Sequence, residues 1–288
     1  MNGDGIGMKK RVGIYKIKEV MEGIYLIRNL YVNMILVVGN ERALLFDTGY
    51  GFDDITSAIR EITDKPFDVV MSHGHLDHGG GNWQFEEVYA HPADWTVMER
   101  HATRSYRTIG VDSAKSIDKI PFLKTLPKDF NEEKFYTKPA GNFKSVKEGD
   151  VFGLGGVSLQ VIELPGHTPG SIGLYCPEKR LVLVSDAVNG FLYLFLEEST
   201  DLATYLESLY KLKKIDFDYM LSGHSAKIDK KSELDNYIQV AEHPDWQNGK
   251  LRKNDMLSGN KVVKVVRSSV NPKNKAKIVI EEGRLGEK

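Results

Sequence analysis

A chain of 288 residues with 41% hydrophobic and 27% charged side chains has an ordinary globular composition, and on folding it can bury about three quarters of its unfolded surface. A net charge of −1 and a pI near 6.7 supply no global field for nucleic acid or anionic lipid, so neither is an expected partner. No run of 18 apolar residues is available to span a membrane, the opening MNGDGIGMKKRVGIYKIKEV has no apolar signal core, and the single Cys176 excludes an internal disulfide or a Cys-pair metal site. These features together predict a cytoplasmic protein.

Residues 1–10, with Gly3, Gly5 and Gly7 and no periodicity, are expected to be a flexible lead-in to a main domain over 11–248. Tyr15 to Asn29 alternates loosely and predicts one or two strands. Met34–Val38 and Ala43–Phe46 flank Gly39-Asn40-Glu41-Arg42 as a hairpin. The second of these strands ends in Asp47-Thr48-Gly49, where the carboxylate either stabilises a turn or supports a histidine. Ile55, Ile59 and Ile62 give helical spacing within 52–63, ahead of the apolar run Phe67–Met71.

That run delivers Ser72-His73-Gly74-His75-Leu76-Asp77-His78 at the C-terminal end of a buried strand. Three imidazoles and a carboxylate within six residues are hard to explain as packing, and these are the side chains that zinc and neighbouring transition metals take. The following Gly79, Gly80 and Gly81 are expected to let the backbone pass close to whatever is held. A short strand at 86–90 and helical character over 92–107 come next, with His91 and His101 standing alone as structural histidines. Residues 110–147, rich in Lys, Pro and aromatics, have no clean period and predict an insertion that either forms a lid or packs on the rim.

From Val151 the pattern turns to strands. Val157–Ile162 runs into Pro165-Gly166-His167-Thr168-Pro169-Gly170, and Ser171–Tyr175 pairs with Leu181–Val184, which ends in Ser185-Asp186. A helix over 202–212 opens on Thr200 or Asp201. Phe217–Leu221 then leads to Ser222-Gly223-His224, and a second helix over 232–242 is capped by Ser232. Residues 249–288 predict a C-terminal hairpin around Asn271-Pro272. From 250 onward that tail carries 11 Lys/Arg against 4 Asp/Glu, a solvated basic face.

His73, His167, Asp186 and His224 thus each follow an apolar strand within a few residues, and in open sheets ligands gather at one end of the strands. The series His73-x-His75-x-Asp77-His78, His167, Asp186 and His224, with Asp47 upstream, resembles the motif series of the metallo-β-lactamase superfamily over about residues 17–230. The resemblance implies an α/β four-layer αββα sandwich, two mixed sheets flanked by helices, with a dinuclear site on one edge. It implies two divalent metal ions, zinc by default with iron or manganese as alternatives. His73, His75 and His167 would hold one, Asp77, His78 and His224 the other, and Asp186 both. Asp47 would anchor a ligand histidine.

The implied activity is hydrolysis of a small ester, thioester or lactone by a hydroxide between the ions, with Asp77 orienting the nucleophile or passing a proton to the leaving group. Tyr193 is a candidate substrate contact by similarity to lactonases. The absence of a Cys ligand and the presence of Asp186 argue against a dedicated β-lactamase. A phosphodiesterase, or a non-hydrolytic redox or binding member of the fold, are the alternatives, and a small-molecule substrate and a homodimer are both in keeping with the resemblance.

Overall fold

The computed structural model describes residues 9–254, 261–271 and 273–281. The first half of the chain builds a mixed eight-stranded sheet in sequential order. Its strands are β1 (Lys9–Val12), β2 (Tyr15–Met21), β3 (Ile24–Asn29), β4 (Val32–Val38), β5 (Ala43–Phe46), β6 (Phe67–Val70), β7 (Val88–Ala90) and β8 (Phe143–Ser145). Strands β1 to β5 pair antiparallel, and β5 to β8 run parallel. Val, Ile and Leu make β4 and β5 buried on both faces, as strands inside a layered protein must be.

The second half builds a six-stranded sheet from β9 (Val151–Gly153), β10 (Ser158–Glu163), β11 (Ile172–Cys176), β12 (Leu181–Ser185), β14 (Tyr219–Ser222) and β15 (Asp229–Lys230), in the order β15-β14-β12-β11-β10-β9. The two sheets face each other across one apolar layer that includes Leu26, Ile35, Phe46, Val70, Val161, Leu174 and Leu183. Helices α1 (Ile55–Arg60), α2 (Leu76–Gly79), α3 (Trp95–His101), α4 (Arg104–Asp118) and α5 (Glu132–Tyr136) lie on the first-half side of the chain. There Ile55, Ile59, Met98, Val111 and Phe135 cover the outer face of the first sheet. Helices α6 (Leu202–Lys214) and α7 (Leu234–Glu242) cover the second sheet through Leu209, Leu212, Leu234 and Ile238. The result is the expected α/β sandwich of two mixed sheets flanked by helices. No helix among the described residues is long and apolar enough to cross a membrane.

A third, four-stranded sheet was not foreseen. Strand β13 (Phe191–Leu194) pairs parallel with β18 (Lys277–Glu281), and β17 (Lys261–Val266) and β16 (Lys250–Asn254) complete the order β13-β18-β17-β16. The expected C-terminal hairpin is therefore part of a larger sheet that reaches back to residues 191–194. Pro272 at its turn lies outside the described residues. So do residues 1–8 of the expected lead-in, whereas Lys9 and Lys10 belong to β1.

Segment 110–147 is more regular than its sequence suggested. It contains the end of α4, all of α5 and the edge strand β8. Asp201 caps α6, its side chain accepting from Thr204 N, and Lys211, Lys213 and Lys214 sit at the helix's negative C-terminal end. Ser232 does not cap α7. It lies in a 3-10 turn over Lys231–Glu233, and the helix begins at Leu234 without a side-chain cap.

Candidate metal centre

Parallel pairing sets the site. Strands β5 and β6 run side by side with Phe46 opposite Val70, so Asp47 and Ser72-His73 emerge together at their C-terminal ends. In the second sheet, β12 and β14 are also parallel, with Ser185 opposite Ser222, so Asp186 and His224 emerge at the same edge. The β10–β11 hairpin turns there too and carries His167. Two backbone bonds join the sheets at this edge, Ile172 N to Ser72 O at 2.8 Å and Asn33 N to Gly223 O at 2.8 Å.

Within the central motif the backbone changes period. His73 and His75 stand two residues apart in the loop after β6, and their rings meet edge to face with centroids 4.6 Å apart. From Leu76 the chain makes a single helical turn with His75 as its N-cap residue, which swings Asp77 and His78 toward the second sheet. The three glycines do not serve the ligands directly. A Cβ on Gly80 would stand 2.3 Å from Tyr50 O, and one on Gly81 2.6 Å from Thr48 O, so they let this turn pack backbone to backbone on residues 48–51. Gly223 is the glycine at the site, since its Cβ would stand 2.6 Å from His78 Cε1.

Seven predicted side chains converge as two adjoining groups. His75 Nδ1 lies 3.1 Å from His73 Nε2 and 2.9 Å from His167 Nε2. His78 Nε2 is 3.6 Å from both Asp77 Oδ2 and Asp186 Oδ1, and His224 Nε2 is 3.6 Å from Asp77 Oδ2 and 3.0 Å from Asp186 Oδ2. Asp186 also faces the first group, Oδ2 standing 3.8 Å from His167 Nε2.

The opposite ring nitrogens are all committed elsewhere. His78 Nδ1 donates to Asp47 Oδ2 at 2.8 Å, His167 Nδ1 to the Tyr193 carbonyl at 2.9 Å, and His224 Nδ1 to the Tyr31 carbonyl at 2.9 Å. His75 Nε2 donates to Glu198 Oε1 at 2.7 Å, and His73 Nδ1 lies 2.8 Å from Ser72 Oγ, whose own proton goes to Asp47. A neutral imidazole has one N–H, so within the group of His73, His75 and His167 the converging nitrogens present lone pairs to one another. Lone pairs at 2.9–3.1 Å with no hydrogen between them are repulsive unless a cation lies among them. His78 Nε2 and Asp186 Oδ1 are moreover fully buried without a hydrogen-bond partner. Imidazoles, carboxylates and these spacings fit divalent metal ions with bonds of about 2 Å.

The electrostatics agree. Burial, reinforced by the neighbouring imidazoles, pushes His73 well below the usual histidine range and His167 down to about 4, so both are neutral at pH 7. Burial opposes charge on Asp186 and Asp77 as well, but His224 and His78 outweigh it and hold both carboxyls low. For His78 burial is overcome by Asp77, Asp186 and Asp47, and its pKa lies well above the ordinary value. His224 is raised for the same reason.

Asp47 adopts φ +70 and Ser185 φ +45, left-handed conformations uncommon outside glycine. Both side chains meet at one node, where Asp47 accepts from Ser72 N, Ser72 Oγ, Ser185 Oγ and His78 Nδ1. Tyr193 sits on β13 and reaches the site in two ways. Its carbonyl orients His167, and its half-buried phenol is raised first by burial and then by Asp186 and Asp77.

Three residues that matter here were not assigned to the site from the sequence. Glu198 bonds His75 and, through Oε2, accepts from Arg100 Nη2 at 2.5 Å. His101, read as a solitary structural histidine, stacks on His75 with ring centroids 4.8 Å apart and lies 3.3 Å from the same Glu198 oxygen. Buried Asp94 accepts from Gly74 N at 2.8 Å, Thr168 Oγ1 at 2.6 Å and Gly170 N at 2.7 Å, tying the His73–His75 loop to the His167 turn. No spacing in the chain links 94 to 168 or 75 to 198. The other solitary histidine, His91, accepts from Ala93 N and faces Glu163, away from the cluster.

Comparison with known proteins bears on the same residues. The family model described as "Metallo-beta-lactamase superfamily" matches residues 27–224. The chain is 29% identical over 165 residues to a protein of Gallus gallus named acyl-coenzyme A thioesterase MBLAC2, covering 54% of this chain and 57% of that one. It is 26% identical over 162 residues to the hydroxyacylglutathione hydrolase GloC of Haemophilus influenzae, covering 54% of this chain and 66% of that one. The match thus spans a little over half to about two thirds of these relatives' lengths. Among solved structures, the sec-alkylsulfatase Pisa1 from Pseudomonas sp. superposes with a TM-score of 0.60 at 18% identity, covering 78% of this chain and 41% of that one, a likeness of fold. From its matched family model and from the motif series gathered at one sheet edge, the chain belongs to the metallo-β-lactamase superfamily.

Proposed function

We propose that this chain is a metal-dependent hydrolase of an acyl thioester, with two divalent cations at the edge of its sandwich. His73, His75 and His167 would hold one cation, Asp77, His78 and His224 the other, and Asp186 would serve both. The observation that carries the reading is the convergence of five imidazole nitrogens whose far nitrogens are already bound to oxygen. When bound, such a pair supplies Lewis acidity, which lowers the pKa of water and polarises a carbonyl oxygen. Zinc is the default, and iron and manganese take the same ligands.

The chain's own groups do the rest. Asp77 is the one carboxylate of the cluster with a quarter of its side chain exposed, 26% against 6% for Asp186. Its low pKa keeps it ionised, so it orients the attacking water and takes one of its protons. The water oxygen forms a bond to the acyl carbon, the C–S bond breaks, and the thiolate leaves with the electron pair. The proton held by Asp77 then passes to sulfur, giving acid and thiol. Tyr193, its phenol kept protonated, would donate to a substrate oxygen. The thioester reading, among the ester, thioester and lactone chemistry this ligand set serves, is favoured by the relatives named as a thioesterase and a hydroxyacylglutathione hydrolase.

The test is elemental analysis of purified protein followed by a panel of thioesters, lactones, bis-p-nitrophenyl phosphate and a β-lactam. About two ions per chain with thioester turnover is expected. Turnover of the phosphodiester alone would replace the thioester with that reaction, and a fully loaded protein inert to the whole panel would end the hydrolase reading.

A further inference from the structure

Three neighbouring strands of the first sheet carry a row of cations in register. Arg11 on β1 stands opposite Lys16 on β2, and Lys16 stands opposite Arg28 on β3. Directly opposed like charges destabilise a sheet, so three in a row need a reason. Lys18, two residues along β2, faces Leu26 on the same side of the sheet. Leu26 belongs to the apolar layer between the two sheets, so this row lies where the inner face runs out from under the second sheet.

The row lines two adjoining cavities of about 140 and 450 Å³, both of which include Arg11, Lys16 and Arg28. Lys124 joins from the segment after α4, and Lys18 from β2. Among the described residues no Asp or Glu lines either cavity, and none of these five cations forms an ion pair. Among the described residues Arg11 donates to the carbonyls of Gly13 and Lys124 alone, and Arg28 to the carbonyl of His224 alone. Two exposed aromatics, Tyr31 and Phe122, flank the smaller cavity.

The row also ends at the candidate metal centre. Arg28 bonds the backbone of His224, Tyr31 accepts from its ring, and Asn33, opposite Arg28 on β4, holds Ser222 O and Ser225 O. An anion lying along the groove therefore sits within one side chain of the reacting centre.

We propose that this groove binds the phosphate groups of the substrate's leaving half, so that the preferred thioester is one whose thiol carries a phosphorylated, nucleotide-like carrier. The proposal rests on the thioester reading above. Unpaired guanidinium and ammonium groups in a row match a chain of phosphate oxygens, and Tyr31 and Phe122 offer faces on which a flat base can stack.

Two measurements separate this proposal from the reading beneath it. The first is calorimetric binding of adenosine 3′,5′-bisphosphate to the metal-loaded protein, which is expected to weaken about tenfold or more in Arg11→Ala/Lys16→Ala and to fall steeply with salt. Lys144→Ala, a distant surface cation, is the control, and an equal loss there would reduce the effect to general charge and overturn the site. The second compares kcat/KM for one acyl group carried on coenzyme A and on phosphate-free N-acetylcysteamine. Their ratio should fall about tenfold in the double variant through KM. Unchanged bisphosphate binding overturns the groove even if both thioesters are cleaved. Lost binding with neither thioester cleaved keeps the groove and removes the thioester.

Discussion

His75 Nε2 donates to Glu198 Oε1 across 2.7 Å, joining the central motif to a residue 123 positions away that no motif marks. Burial opposes charge on Glu198, yet hydrogen bonds from His101 and His75 outweigh it and hold the carboxyl far below its ordinary value. The carboxylate fixes the His75 tautomer so that Nδ1 offers its lone pair, and Arg100 fixes the carboxylate. Glu198→Gln should lower metal affinity about 10–100-fold, read by chelator competition, because the amide can present its NH2 to His75 and favour the wrong tautomer. Equal affinity in the variant would show that the bond is a bystander.

His75→Ala and Asp186→Ala test the centre itself. Each should bring metal content below two ions per chain and abolish hydrolysis while leaving the circular dichroism spectrum of the fold intact. Asp186→Ala should be the more damaging to metal content, since its two oxygens face His78, His224 and His167. Either variant retaining both ions and full turnover removes that residue from the mechanism.

Asp94 tests the tie between the two halves of the first metal group. Asp94→Ala would leave Gly74 N and Gly170 N buried without acceptors and should cost about 2–5 kcal/mol in a denaturant titration. It should also weaken the metal bound by His73, His75 and His167 more than the other, as seen by stepwise chelation.

Acid should empty the two groups at different pH. His167, held down to about 4 by burial, is already neutral at pH 7, and so is His73, so metal uptake there releases no proton from either. In the metal-free protein, His167's depressed pKa contributes stability that is present above about 6.5 and is lost as pH falls toward 4. His78 and His224 have raised values, so their contribution has the opposite sign, full below about 6.5 and lost as pH rises. Protons therefore compete with metal at His78 and His224 first. Metal content measured on stepwise acidification should drop from two ions to one before the remaining ion leaves as the pH approaches about 4, where His167 titrates. Simultaneous loss of both would contradict this assignment of the two groups.

The sequence by itself determined which metal-ligand-type side chains the chain carries and that they follow its apolar runs. Apolar runs ending in His73, His167, Asp186 and His224 could be read because a strand's alternation and its terminal side chain are local properties. A helix over 202–212 opening on Thr200 or Asp201 was legible from its apolar spacing, and the fold chose Asp201 as the cap and carried the helix on to Lys214. Only the tertiary structure decided what holds those side chains in place. Parallel pairing of β5 with β6 and of β12 with β14 brings four strand ends to one edge, and register between distant strands leaves no local trace. The supports arrive from farther still. Glu198 lies in a loop, Asp94 on a 3-10 turn, and the Tyr193 carbonyl on a strand that is itself held by Val279 near the C-terminus. A lone acid or a backbone oxygen has no spacing to read, so its role appears only when folding sets it beside the group it orients.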